Sequence, residues 1–313
     1  DFFDLSKAAF SFQYANNEVY NKWCKLLNCS EKDIKTLEDI PFLPIEFFKN
    51  HRVTCFNKEK EEDFFLSSGT SSMQRSQHLV YNKQYYVENT FSCFSQFFDK
   101  VENYAYLCLL PNYLEQEHSS LICMMEAFVK KSIYKQSGFY SHNLRQVADI
   151  LLSNQKNNIP TILFGVTYAL MDLAENFDLH LHNTIVFETG GMKGRRKELP
   201  KHEVHNLLKN RFGVEKIASE YGMCELFSQG YSLGDGLFFT PKQMHVAIKE
   251  INDYKNTLPA EKRGIINIID LANISSCCFI QTGDLGIKHS NGGFSILGRM
   301  DYADIRGCNL MYQ

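Results

Sequence analysis

Apolar residues recur along this chain in two rhythms, and the change from one to the other divides it. Val19, Trp23, Leu26 and Leu27 fall at i, i+4, i+7 and i+8, which predicts an amphipathic helix. Val87, Phe91, Phe94 and Phe98 give a second helical face and predict a helix over 83–99. Between them, DIPFLPIEFFKNH (39–51) is apolar without a period. Pro41 and Pro44 hold their neighbours extended, so this stretch predicts a connector lying on the core. RVTCF (52–56) predicts a strand. From residue 104 the order becomes strand then helix, repeatedly: strand 104–111, helices near 117–131 and 142–155, strand PTILFG, helix VTYALMDLAENF. It continues as strand TIVFETGG, a helix over 200–211, and strand VEKIASEYG. That alternation predicts an α/β fold with parallel strands and helical crossovers, whose ligands gather at the carboxyl ends of strands.

After Gly230 the rhythm shortens. Segments 236–249, 264–270, 277–283, 285–289 and 293–298 are β-rich and punctuated by Gly, Asn and Asp, which predicts a smaller antiparallel subdomain. The expected organisation is an α/β region over 1–235 and a β-rich subdomain over 236–313 completing the site, as one compact unit.

Composition narrows the function classes. With 313 residues and 44% hydrophobic positions, the chain can bury a large core. A net charge of −3 lacks the basic footprint of a nucleic-acid binder. No apolar run approaches the roughly 20 residues that span a bilayer. Ten cysteines without a C-x-x-C pair, several inside apolar runs, read as reduced thiols of a cytoplasmic protein.

Three loops follow strands where an α/β ligand site would use them. In FFLSSGTSSM (64–73), Ser67, Ser68, Thr70, Ser71 and Ser72 surround Gly69, offering hydroxyls and backbone N–H groups to one small volume. Such a nest suits a phosphate, although a solvated Ser/Gly loop has the same composition. No Gly-Lys-Ser/Thr follows, so this is not the Walker form. ETGG (188–191) offers bare backbone to a flat ring, and SEYGMCE (219–225) presents an aromatic face and a carboxylate. TGDLG (282–286) and GRMDYADIRG (298–307) follow in order. His180-x-His182 and His202-x-x-His205 lack a third ligand nearby and read as solvated surface. His118 precedes two serines that cap a helix. The absence of G-x-S-x-G counts against a serine hydrolase.

This ordered set resembles the adenylate-forming ligases. IPFLPIEFFKNH, LSSGTSS, LLPNYLEQEHSSLICMM, ETGGMKGRRKEL, SEYGMCELFSQGY and IRGCNL are similar to the acyl-protein synthetases of the LuxE type, from about residue 39 onward. Phenylacetate-CoA ligases are the next relatives. The resemblance implies a large region of parallel and mixed sheets flanked by helices, with a small β-rich subdomain and without the mobile C-terminal domain of larger members. It implies that Ser67, Ser68, Gly69, Thr70 and Ser71 cradle the ATP phosphates. Gly190, Gly191 and Tyr221 would sandwich adenine, Glu225 would hold Mg²⁺, and Asp284 would take the ribose hydroxyls. Arg299 would sit at ribose or phosphate, and Asp301 matches the hinge position. The implied substrate is a fatty carboxylic acid, with a reductase or thioesterase as a protein partner.

Cys224 stands where the superfamily usually has Thr. Cys308, in IRGCNL, is expected to accept the acyl group. A terminus is the most mobile part of a domain, and Arg299 and Arg306 would lower the thiol's pKa. The alternatives are an acyl-CoA synthetase of the phenylacetate type and a nucleotide- or acyl-binding subunit without activity.

Overall fold

The computed structural model describes residues 1–67, 74–110, 117–140, 143–190, 199–251, 253 and 255–300. The parallel strands are Ala105–Leu109, Thr161–Gly165, Thr184–Glu188 and Ile217–Tyr221, paired in that order, with the short Gly138–Phe139 outside the first. Ala105–Leu109 and Thr161–Gly165 are buried at every position, which explains their unbroken apolar runs. Helices Ser120–Lys131, Leu144–Lys156, Thr167–Asn176 and Lys201–Phe212 supply the crossovers and pack over a core of Leu107, Leu163, Leu170 and Phe187.

The antiparallel segments do not stand apart from this sheet. Ile217–Tyr221 pairs antiparallel with Gly230–Ser232, and the ladder runs on through Leu237–Phe239, Phe294–Arg299, Phe279–Lys288, Arg263–Asp270 and Met244–Lys249. Among the described residues the sheet counts twelve strands. Two of the expected segments, 277–283 and 285–289, are one strand that changes register between Leu285 and Gly286.

The N-terminal helices Phe2–Asn16 and Glu18–Leu26 cover the antiparallel half. Phe10 and Tyr20 share a core with Phe279, at ring separations of 6.3 and 5.7 Å. Gln13 accepts from the Cys278 N–H at 2.9 Å, tying the first helix to that strand. The apolar connector lies on the core as expected, where Leu43–Pro44 pairs parallel with Ile280–Gln281. RVTCF forms no strand: Cys55 donates one backbone bond to Ser275, 2.9 Å away, and no ladder extends from it. The predicted 83–99 helix ends at Ser95, and its buried face is Tyr86, Asn89, Thr90, Cys93 and Phe94. No helix among the described residues is long and apolar enough to cross a membrane.

Candidate active site

Strand ends converge on a cleft of about 620 Å³, within the roughly 300–1,000 Å³ of small-molecule sites. The hairpin Asp63–Leu66/Gln77–Val80 brings Leu66, Ser67, Arg75 and Ser76. The parallel strands bring Thr189 and Glu220–Glu225, helix Ser120–Lys131 brings Leu121 and Met124, and the antiparallel half brings Gly283, Ile296 and Arg299. Strand carboxyl ends therefore form the floor, as the parallel topology requires.

Of the site residues expected from sequence, Ser67, Tyr221, Glu225 and Arg299 line this cleft together. Asp284 stands directly behind them. Its carboxylate accepts from the Tyr221 hydroxyl at 2.8 Å and from Arg299 Nε at 3.3 Å. Asp284 and Arg299 are cross-strand partners, so the ladder itself sets that pair. Burial, then Asp284, raises the Tyr221 phenol well above its ordinary range, which keeps it a donor. Ser67 closes its own hairpin: its hydroxyl accepts from the Ser76 N–H at 2.9 Å, and its carbonyl from Arg75 Nε at 2.6 Å. Ser68, Gly69, Thr70, Ser71, Gly191, Asp301 and Cys308 lie outside the described residues.

Gly190 borders the cleft through Thr189. It adopts φ +78°, open to glycine without strain, and its N–H donates to Glu188 at 2.7 Å. Glu188 is 4% exposed, accepts from Thr167, and faces His205 Nε2 at 3.5 Å and Lys201 at 4.0 Å. Burial pushes its carboxyl up, but His205, Thr167 and Lys201 outweigh that and hold it below its ordinary value. His205 is thus buried against a carboxylate, which corrects the solvated reading; it is the helical face turned to the sheet that decides this. His180, His182 and His202 are exposed.

The turn carrying Glu225 is gripped from behind by residues that the motif reading did not name. His78 Nδ1 donates to the Cys224 carbonyl at 2.7 Å, and Asn273 Nδ2 to the Glu225 carbonyl at 2.7 Å. His78 is wholly buried between Phe48 and Phe227, and burial lowers it to about 4, so it stays neutral. Asp270 takes the N–H groups of Phe227 and Ser228, each at 2.8 Å, and the Ser228 hydroxyl at 2.6 Å. A polar residue inside the apolar strands QHLV and INIID was the available signal. Arg75 was also missed; with Lys49 and Arg299 it makes the cationic lining among the described residues. Cys224 is buried, and burial and then Glu225 raise its thiol well above the ordinary range, which leaves it unreactive. Glu225 is 4% exposed, and no cluster of three metal-binding side chains exists among the described residues. One carboxylate on the lining of a cleft is nevertheless a donor set that suits Mg²⁺, which takes one or two carboxylates and completes its shell with other oxygens, so Glu225 fits that ion.

Residues 4–104 match the family model of the acyl-protein synthetase, LuxE. That match begins before the stretch read as similar and ends before ETGG, SEYGMCE and TGDLG. A long-chain-fatty-acid–luciferin-component ligase of Vibrio harveyi is 34% identical over 70 residues, which cover 22% of this chain and 18% of that relative. Among solved structures, a 2-hydroxyisobutyryl-CoA ligase in the postadenylation state superposes at TM-score 0.70 with 12% identity, covering 96% of this chain and 67% of that one. ATP-bound MatB from Rhodopseudomonas palustris does so at TM-score 0.58 with 14% identity, covering 78% and 49%. The chain therefore matches the LuxE acyl-protein synthetases over its first third and carries, over nearly all its length, the fold of the adenylate-forming ligases.

Proposed function

We propose that the chain activates a carboxylic acid with ATP and passes the acyl group to a thiol. An oxygen of the acid attacks the α-phosphorus, the bond to pyrophosphate breaks, and acyl-AMP forms. A thiolate then attacks the acyl carbon, the bond to AMP breaks, and a thioester remains. The single observation that carries this reading is the joining of Tyr221, Asp284, Arg299 and Glu225 around one cleft, within a fold shared with ligases solved holding ATP or an acyl adenylate.

Tyr221 and the 189–190 backbone would flank the adenine. Asp284, fixed by Tyr221 and Arg299, would accept from the ribose hydroxyls. Lys49, Arg75 and Arg299, with the Ser67–Ser71 loop, would meet the phosphates, so the chemistry rests on positioning and charge. Glu225 would hold Mg²⁺, which supplies charge neutralisation on the phosphate oxygens when bound. The fatty nature of the acid follows the match to the fatty-acid ligase, as does a protein partner. Cys308 is the proposed acceptor; the likeness to CoA ligases favours coenzyme A as the second reading.

The test is exchange of pyrophosphate into ATP with a panel of acids, run with labelled acid so that protein thioester is read alongside. Wild type should exchange, and Glu225→Gln and Asp284→Ala should each lose on the order of 2–4 kcal/mol of transition-state stabilisation. Cys308→Ser should keep exchange and lose the hydroxylamine-sensitive label. ATP binding without exchange for any acid would mean a nucleotide-binding subunit instead, and free acyl-CoA outpacing protein label would move the acceptor role to CoA.

A further inference from the structure

One corner of the cleft holds acceptors that the nucleotide reading leaves unused. Glu220 and Gln229 both line the cleft beside Gly222. A Cβ on Gly222 would lie 2.2 Å from Glu220 Oε1 and 3.4 Å from Gln229 Cγ, so a bare backbone is what makes room for them. Glu220 has no hydrogen-bond or ion-pair partner among the described residues. Gln229 is 3% exposed; its Nε2 donates to the Phe227 carbonyl at 3.0 Å, which fixes the amide and leaves Oε1 buried without a donor.

Of the neighbouring hydroxyls two are committed elsewhere, and that of Tyr231 is buried without a hydrogen bond to Glu220 or to any other group among the described residues. Tyr86 donates to the Ser120 carbonyl at 3.0 Å, and Tyr221 to Asp284. Successive strand residues point to opposite faces, so Glu220 faces away from Tyr221 and the Asp284–Arg299 pair. Its charge acts on the Tyr86 and Tyr231 hydroxyls. The adenosine hydroxyls are thus on the wrong side to serve it. Leu121, Met124 and Tyr86 give this end of the cleft an apolar wall able to take a carbon skeleton. Buried acceptors are ordinarily paired, so leaving Gln229 Oε1 without a donor is costly. The half-buried Glu220 carboxylate beside the same glycine is a second acceptor without a partner among the described residues.

We infer that Glu220 and Gln229 form a subsite for a hydrogen-bond donor, and that the acid bound here carries a hydroxyl or an ammonium group on its carbon skeleton. This rests on the reading of the cleft as an acid site and names the class of acid. Each oxygen accepts one bond; an ammonium group would add a charge contact with Glu220, a hydroxyl would not.

Calorimetric titration of the full chain with matched acids tests it, each chain length offered unsubstituted, hydroxylated and aminated. A donor-bearing acid should bind at least about tenfold more tightly than its parent, because a site built around a donor rejects the analogue lacking it. Glu220→Leu and Gln229→Leu should erase that preference while parent acids still bind. Glu220→Gln, which keeps the shape and an accepting oxygen, should retain a preference for hydroxyl and lose one for ammonium. Equal affinity within every pair, a preference that survives Glu220→Leu, or no binding by any member overturns the subsite. The readout is binding, so a donor preference without pyrophosphate exchange would sink adenylation alone.

Discussion

Glu188 and Glu220 lie at the ends of neighbouring parallel strands, yet their surroundings are opposite. Glu188 has Thr167, Gly190, His205 and Lys201 around it, and its carboxyl is held below the ordinary value. Glu220 has no partner among the described residues, and burial pushes its carboxyl up to about 7. The first is part of the scaffold, locking the backbone that leads into ETGG. The second is a group kept at a cost to stability, the pattern expected where a protein holds a polar side chain ready for something outside itself.

The largest expected effect is on the scaffold side. Glu188→Ala should destabilise the fold by about 2–4 kcal/mol at neutral pH, since it strands the Gly190 N–H, the Thr167 hydroxyl and His205. A lowered carboxyl contributes stability above its ordinary pKa and loses it as pH falls through the lowered value. The gap between wild type and variant in urea denaturation should therefore close in acid. A loss under about 1 kcal/mol at neutral pH would make the two carboxylates alike and break the comparison.

Glu220→Gln should act in the other direction. A carboxyl raised to about 7 penalises the folded state progressively as pH climbs from the ordinary range toward 7, and by a constant amount above. The variant should be more stable than wild type by about 1–2 kcal/mol at pH 8, with no gain near pH 4. Destabilisation at pH 8 would mean that Glu220 has a structural partner after all. The smallest effect belongs to Gly190→Ala. A Cβ there meets nothing within 4 Å, so only the φ of +78° is penalised, by about 1 kcal/mol in a thermal melt. A much larger loss would mean the loop after Glu188 is packed rather than open.

The parallel strands were legible because burial on both faces writes an unbroken apolar run, as in YLCLL and TILFG. The helices between them were legible from period alone. What pattern did not carry was distance along the chain: nothing local says that Phe10 packs on Phe279, or that the late strands extend the same sheet. The same limit applied at the site. Tyr221 and Glu225 stood out as types within a motif, whereas Glu220, just before them in sequence, differs from Glu188 only in what surrounds it. His78, Asn273 and Asp270 support the motif from remote strands and turns, so their roles exist only once the chain is folded.

The pairing of Leu43–Pro44 with Ile280–Gln281 joins positions about three quarters of the chain apart. During synthesis helices Phe2–Asn16 and Glu18–Leu26 emerge long before the strand that covers Phe10 and Tyr20. Until then those rings have no native surface to rest on, and closing so long a loop is slow. The nascent chain thus carries sticky aromatic surface until that strand is made, and holding factors acting on these two helices would govern its yield.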